Sequence, residues 1–137
     1  MKKNQLNIAL VAHDNKKQDM LEWVRFNDNV LKQHNLIATG QTGGMIEEVL
    51  NKKVLKLNHG PLGGDQELGA KLVHGEIDVL IFFWDGLGAH PHDVDVKALL
   101  RLSVVWNIPT ACNRATADMI ISSPLFSVDY NRNVPIY

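Results

Sequence analysis

The sequence predicts a three-layer α/β fold built on a mostly parallel five-stranded sheet, and three observations carry that expectation. Short, almost wholly apolar runs alternate with amphipathic segments from one end of the chain to the other. Those runs are continuous in Val, Ile, Leu and Phe, the pattern of strands covered on both faces. Each run is followed by polar or glycine-rich residues, so with right-handed crossovers all the polar loops fall on one edge of the sheet.

Taken in order, Ile8-Ala9-Leu10-Val11-Ala12 is the first strand. Met20, Leu21, Val24 and Leu31 then recur at helical spacing and predict one helix over about 16–33. Leu36-Ile37-Ala38-Thr39 is a second strand, ending in a turn, Gly40-Gln41-Thr42-Gly43-Gly44. After it, Met45, Ile46, Val49 and Leu50 form a second helical face. Residues 54–57 supply the third strand, 65–73 the third helix and 79–84 the fourth strand. A fourth helix over 93–106 directs Val96, Leu99, Leu100 and Val104 inward, and 109–112 form the fifth strand. A last helix over 115–121 stops near Pro124, and the tail with Asn131, Asn133 and Pro135 allows at most a short edge strand.

A chain of 137 residues, 45% of them apolar, fits one domain over 1–137. Its 14 basic and 15 acidic residues are spread evenly, so no basic patch marks nucleic acid or anionic lipid as a partner. Apolar runs are far shorter than a membrane span, and Met1-Lys2-Lys3-Asn4-Gln5 leads into a strand rather than a signal-peptide core; the expectation is a cytoplasmic protein. The single cysteine, Cys112, reads as a small buried hydrophobe and excludes an internal disulfide. His34 and His74 read as ordinary surface helix residues.

Ligands of open α/β sheets bind outside the carboxyl ends of the strands. There the sequence places His13-Asp14, Thr39 to Thr42, His59 to Asp65, Asp85 to Asp95, and Asn113-Arg114. The segment His59-Gly60-Pro61-Leu62-Gly63-Gly64-Asp65-Gln66 sets a carboxylate at a helix start whose free backbone N–H groups can receive an anion. Lys17, four residues past His13, can bring its ammonium to the hydroxyls of Thr39 and Thr42. Neither a Walker loop nor a dinucleotide fingerprint is present, so nucleotide cofactors are not indicated. Beside a bound phosphate and away from water, Asp65 would gain proton affinity, which suits a base that removes a proton from carbon. A first-turn carboxylate stabilised by the helix dipole is its plain structural alternative. His92, with Asp93 and Asp95 nearby, is placed to polarise a carbonyl. His90, His92, Asp93 and Asp95 also permit a metal reading, against which stands the lack of any recognised ligand spacing.

Four long stretches, in order, make the chain similar to the methylglyoxal synthase family from residue 8 to about residue 121. They are Ala9-Leu10-Val11-Ala12-His13-Asp14, Ala38-Thr39-Gly40-Gln41-Thr42-Gly43, Gly60-Pro61-Leu62-Gly63-Gly64-Asp65-Gln66, and the run from Pro91-His92-Asp93-Val94-Asp95 to Arg101-Leu102. The resemblance implies a variant of the flavodoxin-like architecture, conversion of dihydroxyacetone phosphate to methylglyoxal and inorganic phosphate, no metal or organic cofactor, and a homohexamer often inhibited by phosphate. It also implies the catalytic base at Asp65, the carbonyl-polarising imidazole at His92, and supporting carboxylates at Asp14, Asp85 and Asp95. Phosphate contacts fall on His13, Lys17, Thr39, Gly40, Gln41, Thr42, His59 and Gly60, and Arg101 matches an arginine that approaches a neighbouring subunit. Two positions depart from the family pattern: His59 stands where serine is usual, and the tail carries only Arg132, at an unmatched place. A regulatory module is the rival reading, since the allosteric domain of carbamoyl phosphate synthetase resembles this fold and lacks the base.

Overall fold

The computed structural model describes residues 5–88 and 93–135, the side chain of Asp93 excepted. Five strands, β1 (Asn7–Ala12), β2 (Asn35–Thr39), β3 (Leu55–Leu57), β4 (Val79–Phe83) and β5 (Thr110–Ala111), form one sheet in the order β3-β2-β1-β4-β5. Every pairing is parallel, with Ile8 opposite both Leu36 and Val79, as the continuous apolar runs require. Successive strand residues alternate between two cores. Ile8, Leu10, Val79, Ile81 and Phe83 face α1 (Lys17–Phe26) and α3 (Gly40–Leu50), whereas Ala9, Val11, Leu80 and Phe82 face α4 (Gly64–Val73) and α5 (Asp93–Val105). The last helix, α6 (Arg114–Ser122), packs on the first of these cores through Ala117.

The single helix expected over 16–33 is divided. A 3-10 turn at Asp14–Lys16 precedes α1, and Asn27 separates α1 from the short α2 (Asp28–Leu31). The backbone leaves helical dihedrals at Asn27 (φ −105°, ψ 24°), where the Trp23 carbonyl accepts both the Asn27 backbone N–H at 3.0 Å and its Nδ2 at 2.9 Å and so caps α1. Leu31 nevertheless remains fully buried, so the apolar spacing survives the interruption. Trp23 fixes α1 by donating from Nε1 to Asp118 Oδ1 of α6 at 2.8 Å and by an edge contact with Phe83.

Four other expectations need correction. Residues 40–44 are not a turn but the opening of α3, where packing of Thr42 and Ile46 overrides the poor helix propensity of glycine. Val104 is 79% exposed; the inward face of α5 runs through Val96, Leu99 and Ser103, whose hydroxyl donates to the Leu100 carbonyl at 2.6 Å. His34 is buried rather than on a surface helix, accepting the Leu6 N–H on Nδ1 at 3.0 Å and packing edge-on against Phe126. In the tail, residues 128–135 form no strand; Arg132 instead donates from Nε to the Trp106 carbonyl at 3.2 Å and lies 4.0 Å from Asp78. Among the described residues no helix is long and apolar enough to cross a membrane.

His34 is an acceptor only while neutral, and burial pushes its imidazole below the ordinary value, with Lys52 adding to the effect and Asp78 opposing it. The unfolded chain therefore binds this proton first as pH falls. The stability it contributes is complete above about pH 6.5 and is lost progressively below it, down to the depressed folded-state value. Urea midpoints measured at pH 7.5 and pH 5 should fall more for the natural chain than for His34→Asn, whose amide oxygen accepts without titrating. Equal falls in the two proteins would refute this account of His34.

Candidate active site

The carboxyl ends of β1, β2 and β3 open onto one cleft of about 370 Å³. At its centre β1 ends in His13, whose backbone N–H donates to the Phe83 carbonyl and whose ring meets Phe82 edge-on at 5.2 Å. The ring nitrogen Nδ1 accepts the backbone N–H of Asp85 at 2.9 Å, so the neutral imidazole carries its hydrogen on Nε2. His13 is thereby buried yet lines the cleft as a directed donor. Lys17 opens α1 on the same wall, its ammonium 2.9 Å from Asp14 Oδ1. That ammonium holds the Asp14 carboxyl below its ordinary value, helped by the nearby imidazoles of His59 and His13. Asp14 itself is 81% exposed, so it is a rim charge that shares Lys17 with the cleft rather than a buried acid.

The opposite wall comes from the start of α3. Thr39, Gly40, Gln41 and Thr42 all line the cleft, with Thr39 and Thr42 buried. Gly40 has φ +59°, and a Cβ there would come 2.8 Å from His59 Nδ1, so the imidazole of His59 lies directly over it. Backbone N–H groups at this helix start supply positive potential without a formal charge.

The third wall explains the glycines of the segment 60–64. A 3-10 turn at Gly60–Leu62 runs into Gly63, at φ +107°, and α4 starts at Gly64, where any Cβ would collide with the Asn58 carbonyl oxygen. Helix α4 thus begins hard against the end of β3, and its second residue, Asp65, is 4% exposed. A Cβ on Gly60 would lie 3.4 Å from each Asp65 carboxylate oxygen, which locates the acid just beneath the Gly60 backbone. Asp65 lines the cleft and also a neighbouring hollow of about 410 Å³ between α4 and α5.

Asp95 lines that hollow and not the cleft, so among the described residues Asp65 is the only carboxylate shared between the two. Asp85 is buried behind His13; its Oδ2 accepts from Asn15 Nδ2 at 3.0 Å and its Oδ1 from the Leu87 N–H at 3.2 Å. His90 and His92 lie outside the described residues, as does the side chain of Asp93, so Asp95 alone of the four possible metal ligands has a described side chain. Arg101 is exposed on α5, away from the cleft lining. Cys112 is half-buried, and burial pushes its thiol up, which disfavours the thiolate a nucleophile needs. The sequence reading missed Asn15, which lines the cleft and donates to Asp85 beside it. The signal available was its place beside His13-Asp14 in the loop that closes the first strand.

Such a site can grip an anion between Lys17, hydroxyls, imidazole and free N–H groups while a buried carboxylate stands at its edge. That combination defines an α/β protein with a polar cleft suited to a small anion and a buried carboxylate at the cleft's edge. Residues 19–112 match the family model of the MGS-like domain. Methylglyoxal synthase of Coxiella burnetii is 58% identical over 95% of this chain and 91% of its own length, and that of Saccharophagus degradans is 57% identical over 95% and 84%. The crystal structure of methylglyoxal synthase from Elizabethkingia anophelis NUHP1 superposes with a TM-score of 0.91 at 53% identity, covering 98% of this chain and 88% of that one. The chain belongs to the methylglyoxal synthase family.

Gly64→Ala must push α4 off the Asn58 carbonyl and displace Asp65 with it. We expect a loss of about 1–3 kcal/mol in denaturant unfolding, whereas Gly44→Ala, at an open position, should change little. Equal stabilities for the two variants would contradict the contact described at Gly64.

Proposed function

We infer that the chain is a phosphate-eliminating lyase that converts dihydroxyacetone phosphate to methylglyoxal and inorganic phosphate. The observation that carries this reading is Asp65, a buried carboxylate on the first turn of α4 that opens onto the anion cleft holding Lys17, His13, Thr39 and Thr42. Family membership, with relatives named methylglyoxal synthase, supports the same substrate.

In the mechanism we assign, the phosphate dianion sits against Lys17, His13, the threonines and the backbone of Gly40 and Gly60, with His59 and Gln41 at its margin. Asp65 takes a proton from the hydroxymethyl carbon, and its electron pair forms the carbon–carbon double bond of an enediolate. His92 donates to the oxygen that becomes negative, and Asp95 and Asp85 set the electrostatic environment of the two groups. Electrons from the enediolate then form an aldehyde at the former hydroxymethyl carbon and a new double bond to the phosphate-bearing carbon, and the ester C–O bond breaks. The hydroxyl proton lost from the new aldehyde leaves with the phosphate, and the resulting enolate takes the proton held by Asp65 at its terminal carbon to become methylglyoxal, which restores the proton count. Elimination requires that C–O bond to stand out of the enediolate plane, where it overlaps the π system; the phosphate grip therefore fixes a torsion as well as a charge. Every proton and charge in this scheme is handled by side chains or backbone, so it calls on no metal and no organic cofactor. We assign the protein to the cytoplasm as one domain over 1–137 and as a homohexamer with Arg101 near a subunit boundary, with inorganic phosphate as product and inhibitor.

Purified protein supplied with dihydroxyacetone phosphate should release methylglyoxal and phosphate in equal amounts, less rapidly when phosphate is added; ligand binding with no turnover would favour a regulatory module instead. Asp65→Asn should lower kcat by about 10²–10⁴-fold with unchanged circular dichroism. Near-full turnover in that variant would remove Asp65 from its role. Lys17→Met should act mainly on substrate binding, raising KM about 10–100-fold through loss of a charged hydrogen bond; an unchanged KM would place the phosphate elsewhere.

A further inference from the structure

The turn after β1 and the loop after β4 are joined beside the cleft by a short relay that begins at Asn15, a residue to which the assigned mechanism gives no part. Asn15 donates from Nδ2 to Asp85 Oδ2 at 3.0 Å. Asp85 in turn donates its backbone N–H to His13 Nδ1 at 2.9 Å, and its other oxygen takes the Leu87 N–H at 3.2 Å. The Gly88 N–H closes on the Asp85 carbonyl at 3.3 Å. Asp85 is therefore held at its side chain by Asn15 from one loop and by Leu87 from its own, while its backbone decides which nitrogen of His13 bears hydrogen. We propose that Asn15 is a positioning residue of this site: by holding Asp85 it fixes the Nε2–H tautomer and the ring orientation of His13.

The chemistry of the side chain fits that task. An amide donates to a carboxylate without bringing a charge, and Asp14 on one side with Lys16 and Lys17 on the other already bring both signs of charge to this turn. An acid at position 15 would face the Asp85 carboxylate at hydrogen-bond distance, so the two could not both ionise. Because the phosphate grip sets the torsion of the breaking bond, a misdirected His13 lowers turnover and not only affinity. This inference rests on the reading of the site as one for a phosphorylated triose, and two readouts separate its fate from that reading.

In the first, Asn15→Ala is expected to lower kcat for methylglyoxal formation about 10–100-fold, with KM changed less than threefold and the thermal midpoint unchanged; Asn15→Ser serves the same reading if the alanine variant fails to fold. Asn15→Asp should be nearly inactive at pH 8 and recover as pH falls toward 5, where the two carboxylates share a proton, a recovery absent from the natural chain. In the second, nitrogen-15 NMR of the substrate-free protein should show His13 as a single Nε2–H tautomer, and as a mixture in Asn15→Ala. The proposal is overturned by natural kcat in Asn15→Ala, by an effect confined to KM, which would make Asn15 a direct substrate ligand, or by an unaltered His13 tautomer. Should the natural chain show no turnover at all, the assigned activity fails, and the tautomer measurement still decides the role of Asn15.

Discussion

Strand β1 sits between β2 and β4, and the chain leaves it in opposite senses on its two sides: the connection to β2 runs over the face of α1, while β4 is reached over the face of α4. Loops at the carboxyl end of a sheet wound this way part at the reversal and cannot fill the space between them. His13 stands at that opening, flanked by Thr39 on one neighbour and by Asp85 on the other. In the order 3-2-1-4-5 the reversal falls between β1 and β4, beside the first strand as it does in the 2-1-3-4-5 order of flavodoxin-type sheets, so the first loop of the chain lines the site. Every other polar group at the site is placed relative to this one gap.

Within the gap, charge is supplied sparingly. The chain as a whole is nearly neutral, and the described cleft lining offers a single lysine, itself shared with Asp14. Most of the positive potential comes from groups that bear no formal charge: helix starts at Gly40 and Gly64, threonine hydroxyls and the Nε2–H of His13. Dipoles of this kind offer an anion directed donors and place no further formal charge beside Asp65.

Much of this was legible in the sequence because parallel strands buried on both faces advertise themselves as unbroken apolar runs, and because the loops between them collect the polar residues. The runs at 8–12 and 79–84 gave the two central strands, and the segment 59–66 gave both the tight entry to α4 and its acid. What could not be read depended on long-range partners. Asn27 leaves helical dihedrals in the middle of a periodic stretch, with its side chain capping the turn behind it, and Val104 and Ser103 exchange places because the register of α5 is set by Val96 and Leu99. Histidines were hardest: His13, His34 and His74 are alike as letters, yet one is a buried cleft donor, one a buried acceptor and one an exposed helix end. Asn15 was passed over for the same reason, since its meaning lies in a residue seventy positions away.

The two edges of the sheet divide the work between them. At the amino-terminal edge the polar groups serve the backbone: Asp78 accepts the Asn7 N–H at 2.7 Å, His34 accepts that of Leu6, and Arg132 covers the Trp106 carbonyl. The pocket there, about 280 Å³ between Leu6, Val79, Phe126 and the tail, is largely apolar and is closed by residues that follow α6. At the carboxyl-terminal edge the order is reversed: glycines and a left-handed turn surrender conformational stability so that Asp65 can be held under the Gly60 backbone. The length of the central strands separates the two, which lets the tail and the start of the first strand secure the fold at a distance from the cleft. The glycine-rich entry to α4 is set against β1 and β4, which are paired along five residues and packed on both faces and supply the rigidity that this entry gives up.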